Sequence, residues 1–210
     1  MNPGKGNQAH VSTVPRDEER LDEASTSDEA ARILDVVAEI LGERGYNALQ
    51  LRHVASRAQV SLSTISGHFS SKDELVIAAV GRWMHERVYA ELPSPDADAS
   101  LEEALTCWYR QFLSPWEREP AMLRVFLRAT LLPGGQQLSL EGAETVLPQT
   151  QQMFDGYDRD FVADVNLIIS NVLYGLLGQF NNRQIDMPYM ITVIERTIRR
   201  LTADACKQQA

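Results

Sequence analysis

Acidic side chains are missing from one stretch of an otherwise acidic chain. The 210 residues carry a formal net charge of −9, yet no Asp or Glu falls between Arg44 and Lys72. Cysteine is scarce too. Cys107 and Cys206 are the only two, and their separation of roughly a hundred residues fits neither a disulfide framework nor a metal knuckle. They read as reduced thiols in a cytoplasmic protein. No unbroken apolar run approaches the roughly 18 residues of a membrane helix, and the polar start MNPGKGNQAHVSTVPRDEER lacks the apolar core of a secretory signal. No membrane partner is expected.

Catalytic signatures are absent as well. There is no H-E-x-x-H, G-x-S-x-G, phosphate-cradling glycine loop or C-x-x-C. His10, His53, His68 and His85 show no ligand spacing. Asp155, Asp158, Asp160 and Asp164 lack the loop glycine and ligand order of an EF-hand, so they read as a solvated helix start. Neither an enzyme, a metal site nor a cofactor is expected.

What the acid-free stretch does contain is three arginines, one lysine and two histidines. A basic island in an acidic protein points to a polyanion, and helical spacing within it points to the major groove of double-stranded DNA. The surrounding pattern is all-α, with about nine helices, no strand alternation and no internal repeat. Residues 1–26 are polar and aperiodic, which predicts a disordered tail. Ser27 is placed to cap a first helix carrying Ile33, Leu34, Val37, Ile40 and Leu41, and Gly45 supplies its left-handed stop. A second helix is expected over 51–58 and a turn over 58–61. Ser61 then caps a third helix over 62–69, and a fourth starts near Lys72. The run Pro93–Ala99 reads as a linker between a DNA-binding domain (27–92) and a second helical domain (100–206). Within the second, the pattern predicts helices over 101–113 and 120–132, an interrupted one over 143–155, and two long apolar ones over 159–179 and 187–204.

A helix-turn-helix needs small or apolar residues where its helices cross, short polar residues on the exposed recognition face, and basic residues at the flanking phosphates. Val54, Ala55, Val60 and Ile65 fit the first need. The residues expected to meet DNA are Arg52, Ser61, Leu62, Ser63, Thr64, Ser66, Gly67, His68 and Lys72, whereas Arg57 reads as a solvated or ion-paired surface residue. The stretch resembles the DNA-binding module of TetR-family transcriptional repressors. It matches without a gap at Gly45-Tyr46, Val54-Ala55, Ala58, Val60-Ser61, Thr64-Ile65, Phe69, Ser71-Lys72 and Leu75. It departs at Leu62 and Ser63, where the family often has a basic residue and then glycine, and at Ser66, where a tyrosine is common. Gly67 costs the recognition helix about 1 kcal/mol of propensity. The segment LQLRHVASRAQV is also similar to actinobacterial regulators of steroid catabolism.

The resemblance implies a ligand-binding and dimerisation role for the second half. Val165, Ile169, Val172 and Leu176, with Ile194, Ile198 and Leu201, form long apolar rows and are the expected homodimer surface. Trp108, Phe112, Trp116, Phe126, Met153, Tyr174 and Leu177 are the expected lining of a pocket for a lipophilic or amphipathic effector, with Arg110, Arg124 and Arg128 at its mouth. The reading is then a ligand-responsive repressor that grips a palindromic operator as a dimer. The alternative is a helical lipid- or acyl-binding or scaffold protein whose DNA-binding motif has degraded.

Overall fold

The computed structural model describes residues 16–94, 96, 98–203 and 205, with side chains from Thr26 onward. The expected tail over 1–15, linker residues Pro95 and Ala97, and Asp204 and Cys206 lie outside the described residues. Among the described residues there are nine α-helices and no strand: α1 (Arg16–Arg44), α2 (Leu51–Ala58), α3 (Leu62–His68), α4 (Lys72–Met84), α5 (Leu101–Arg118), α6 (Pro120–Ala129), α7 (Gln136–Met153), α8 (Arg159–Asn181) and α9 (Met187–Thr202).

The first helix corrects the expectation at the N-terminus. It reaches back to Arg16, so Ser27 lies inside it rather than capping it, and residues 16–26 are not a disordered tail. Neither Gly nor Pro occurs between Arg16 and Leu41, so a helix seated further along has nothing to stop its backward extension. The seat is Ile33, Val37, Ile40 and Leu41, all with no exposed surface. Gly45 ends the helix with φ +73° and ψ 175°. That combination is open essentially to glycine alone, although it is not the αL geometry expected of a simple stop. A single 3₁₀ turn over Tyr46–Ala48 then leads into α2.

The fourth helix ties the two halves together. Ser71 caps it by accepting from the Glu74 amide at 3.1 Å. Leu75, Val76, Ala79 and Val80 bury its flank beside α1, and Trp83 packs on Trp116 of α5 with ring centroids 4.7 Å apart. Trp116 in turn meets Phe126 of α6 at 5.5 Å. One rod therefore starts beside the recognition module and ends in the aromatic core of the second half. It closes in a π-helical turn over His85–Tyr89, a rare geometry that occurs mostly at functional positions.

Beyond the connection, α5 runs five residues past the expected Leu113 and carries Pro115 inside it. A proline removes one backbone donor and crowds one turn, and burial of Leu113 and Trp116 on either side holds the helix through it. The interrupted helix expected over 143–155 is instead continuous from Gln136 to Met153 with Pro148 inside, anchored at its ends by buried Leu138 and Met153. The pair α8 and α9 closes the chain, and α9 lays Met190, Ile194 and Ile198 on α5 and α8.

Candidate nucleic-acid interface and effector region

Two short helices make the candidate interface. Val54, Ala55 and Ala58 of α2 and Ile65 of α3 are buried where the helices cross. The turn between them hinges on Gln59, a non-glycine residue in the left-handed region at φ 57°, ψ 41°, and the Val60 amide donates back to the Ala55 carbonyl at 3.0 Å. Ser61 opens α3 by accepting from the Thr64 amide at 2.9 Å. With Ile65 pinned inward, helical spacing turns Leu62, Ser63, Ser66 and Gly67 to solvent, and all four are exposed. No carboxylate lies on that face.

The expected DNA contacts divide on inspection. Arg52, Ser61, Leu62, Ser63, Ser66 and Gly67 are exposed, and Thr64 is half-buried. Arg52 makes no ion pair among the described residues. Four hydroxyls are engaged within the chain: Ser66 Oγ donates to the Leu62 carbonyl at 3.0 Å, and Ser61 Oγ lies 2.6 Å from that of Ser63 and 2.9 Å from Thr64 Oγ1. His68 departs from the expectation. It is turned inward, half-buried, with Nε2 3.3 Å from Glu29 of α1, because it sits a turn beyond Thr64, on the same flank as the buried anchor. Lys72 Nζ donates to the Leu49 carbonyl at 2.8 Å and lies 4.7 Å from the centre of the Tyr46 ring. An ammonium has three donors, so this leaves two for another acceptor. Arg57 pairs with Glu39 at 2.6 Å and Glu43 at 3.4 Å, as a surface residue.

Tyr46 was not among the expected site residues, although it organises this corner. Its hydroxyl donates to Asp73 at 2.8 Å, and the Arg128 guanidinium lies 3.9 Å over its ring. Burial, with the bond to Asp73 second, raises the Tyr46 phenol above its ordinary range. Arg128 also donates to Asn47 Oδ1 at 2.9 Å. Only the aromatic beside Gly45 hinted at this from sequence; its partners come from helices 27 and 82 residues further on.

Residues 33–79 match the pattern described as "Bacterial regulatory proteins, tetR family", and residues 98–201 match "Tetracyclin repressor-like, C-terminal domain". The chain belongs to the TetR family. This is a family of DNA-binding transcriptional regulators, not of enzymes. Among curated relatives, a KstR transcriptional repressor of Rhodococcus jostii is 29% identical over 119 residues, 57% of this chain and 55% of its own length. The KstR repressor of Mycolicibacterium smegmatis is 38% identical over 65 residues, 31% of this chain and 32% of its own. The chain thus spans between about a third and about half of the length of these relatives. A TetR-family structure from Mesorhizobium loti superposes with a TM-score of 0.64 at 15% identity, over 86% of this chain and 98% of that one. A TetR-like regulator from Rhodococcus sp. RHA1 gives 0.59 at 16%, over 84% and 96%.

Within this TetR-family chain, the residues expected to line one effector pocket occupy three places. Trp116 and Phe126 belong to the packed aromatic core. Trp108 and Met153 border a cleft of about 450 Å³ with Ala104, Cys107 and Pro93, and Phe112 stacks flat on Trp108 at 5.2 Å. Tyr174 and Leu177 lie on a separate groove against α6, and Tyr174 is 72% exposed. Arg110 lines none of these three places; it pairs with Glu195 of α9.

Most residues expected at the dimer surface pack inward within this chain. Val165, Ile169, Leu176, Ile194 and Ile198 are buried in the core of this one chain, and Val172 and Leu201 are half-buried. Periodicity identified the helix face with the strongest apolar row, and a helix turns that face to its own core first. The apolar surplus lies elsewhere: Leu167 is 62% exposed and Ile168 41%. By length and composition α8 would suffice to cross a membrane, yet only 17% of its most apolar window is buried. Polar Asn166, Ser170 and Asn171 interrupt it, which is why no unbroken apolar run was visible.

Proposed function

We propose that this chain is a ligand-responsive transcriptional repressor that binds a near-palindromic operator as a homodimer and is released by a lipophilic or amphipathic small molecule. The observation that carries the reading is the outward face of α3: four exposed residues, no acid, and Arg52 and Lys72 flanking it. Leu62, 43% exposed at the start of the helix, suits a thymine methyl, and Ser63 suits a base edge or phosphate. Arg52 and Lys72 supply the phosphate contacts that set register. Ser61 and Gly67 serve the helix start and its close approach rather than base reading.

The dimer is assigned to the outer face of α8, around Leu167, Ile168 and Asn171, next to the exposed side of α9 at Tyr189. An alanine methyl at Gly175 would meet nothing within 4 Å of its own chain, so the glycine serves no internal packing. A partner helix approaching that spot closely would explain it. The proposed units are a recognition domain ending near residue 92, a connection over 93–99, and an effector and dimer domain from residue 100. The cleft beside Trp108 and Met153 is the proposed effector entrance, and α4 is the proposed transmitting rod.

Selection of genomic fragments by the purified protein, followed by gel shift at two salt concentrations, tests the reading. The expected result is a recurrent palindrome whose affinity falls steeply as salt rises. Weak binding indifferent to sequence would instead support the helical lipid-binding or scaffold alternative.

A further inference from the structure

The groove against α6 differs chemically from the aromatic core and from the cleft beside Trp108. It encloses about 880 Å³ between the end of α1, the Tyr46 turn, α6 and the last turns of α8. Four arginines line it: Arg44, Arg124, Arg128 and Arg183. None of the four makes an ion pair among the described residues. The single acid on the groove, Glu43, is already engaged by Arg57. In a chain of net charge −9, a concavity with four uncompensated guanidinium groups has a strong local bias toward anions. Arg183 adds a backbone cost, since it follows α8 in the left-handed region at φ 57°, where glycine or asparagine is the ordinary choice.

The remaining wall is apolar and unusually open. Leu131 and Tyr174 are 85% and 72% exposed, the two most exposed large apolar side chains described, and both border this groove with Leu127 and Leu177. Leu177 projects from the flank of α8 opposite Ile168 and Gly175, whereas Tyr174 stands two turns beyond Leu167 and borders the proposed dimer face.

We infer that this groove is a binding site for an amphiphilic organic anion, its carboxylate or phosphate head held by Arg124 and Arg183 and its apolar body laid against Leu131 and Tyr174. Planar guanidinium groups match either oxyanion in a forked geometry. The site also touches the recognition module directly. Arg128 reaches from α6 over the Tyr46 ring and to Asn47, and Tyr46 in turn holds Asp73 and flanks Lys72 at the start of α4. An anion that draws Arg128 into the groove loosens Tyr46 and frees the segment from Gly45 to Leu75. Only the consequence of this step for operator binding rests on the repressor reading.

Calorimetric titration of the full chain with decanoate, decyl phosphate, decanol and inorganic phosphate tests the site. Decanoate or decyl phosphate should bind saturably, with decanol and inorganic phosphate each at least about tenfold weaker, because either half of the ligand alone forfeits one set of contacts. Replacing Arg124→Gln together with Arg183→Gln should weaken the anionic amphiphile about tenfold or more. Arg118→Gln, an ion-paired arginine outside the groove, should leave it unchanged. Equal binding of decanol, equal binding of inorganic phosphate, or an unaffected double variant would each overturn the site. Hydrogen exchange over residues 45–75 should accelerate on loading with decanoate in the wild type but not in Arg128→Gln. Unchanged exchange would overturn the relay. Neither readout needs an operator, so failure to find one is distinguishable from failure here.

Discussion

The recognition helix α3 and the closing helix α8 solve opposite problems. In α3, seven residues carry one buried anchor, Ile65, and nearly everything else faces water. So little apolar area cannot hold a helix by itself; α3 is positioned by the Ser61 cap, by α2 and by α1. In α8, 23 residues bury Val165, Ile169, Leu176 and Phe180 and still present Leu167 and Ile168 outward. A polar outer face on a short, well-braced helix suits a charged, hydrated partner. An apolar outer face on a helix whose inner face is already saturated suits a protein partner, since each 100 Å² left in water forgoes about 2.5 kcal/mol.

Breaking the α8 side of that contrast gives the largest effects. Leu167→Asp with Ile168→Asp should leave monomer stability within about 0.5 kcal/mol, as exposed substitutions do. It should convert a dimer to monomer in sedimentation equilibrium and weaken operator binding on the order of a hundredfold, because two half-sites no longer act together. Val165→Asp, one turn earlier and fully inward, should instead destabilise the chain by more than about 4 kcal/mol in urea unfolding, by burying an unpaired charge. If the double variant remains dimeric, the outer face of α8 is not the interface.

On the recognition side, Gly45→Ala isolates backbone from packing. No atom lies within 4 Å of the added methyl, so the expected loss of about 1–3 kcal/mol in urea unfolding comes from φ +73° with ψ 175° alone. A neutral substitution would mean that the turn relaxes and that the entry to α2 is not fixed by this residue.

These contrasts were unequally legible in the sequence. The recognition module was read nearly to the residue, with α2 expected over 51–58 and found there, because caps, a turn and a few small residues are local signals. The family resemblance extended that reading to DNA. The inward turn of His68 was not legible, because helical spacing alone does not say that α1 brings Glu29 beside it. The groove was invisible for the same reason: Arg44, Arg124, Arg128 and Arg183 are spread over 140 residues, and nothing local marks them as neighbours. The apolar rows of α8 and α9 were legible in a different way. Amphipathicity finds the richest apolar row, and that row packs in the chain's own core, so the proposed interface rests on the secondary apolar residues, Leu167 and Ile168. The helix start at Arg16 was missed because amphipathic periodicity begins only where α1 meets a core.

Alkaline titration contrasts the halves in another way. Tyr89 ends the π-helical turn that closes α4 and Tyr109 lies in α5, and burial pushes each phenol from 10.0 up to about 12, with Glu141 adding to the shift at Tyr89. A phenol raised in the folded state contributes stability that is complete below pH 10 and is lost as pH rises through about 12. Absorbance at the phenolate band should therefore show Tyr89 and Tyr109 ionising last, and their ionisation should coincide with loss of helicity. Early ionisation of all six tyrosines with helicity intact would mean that this region opens to water.

The smallest effect is the most discriminating for the recognition helix. Gly67 has nothing within 4 Å of an added methyl and an ordinary helical backbone, so Gly67→Ala should stabilise the free protein by about 1 kcal/mol in a urea or thermal melt. A residue retained against that gain serves something outside the chain. If the gain in stability comes with weaker operator binding, glycine is there because a DNA strand approaches the helix closely. Should both stability and operator affinity rise, Gly67 lies off the contact surface, and the working face of α3 narrows to its first turn, Leu62 and Ser63.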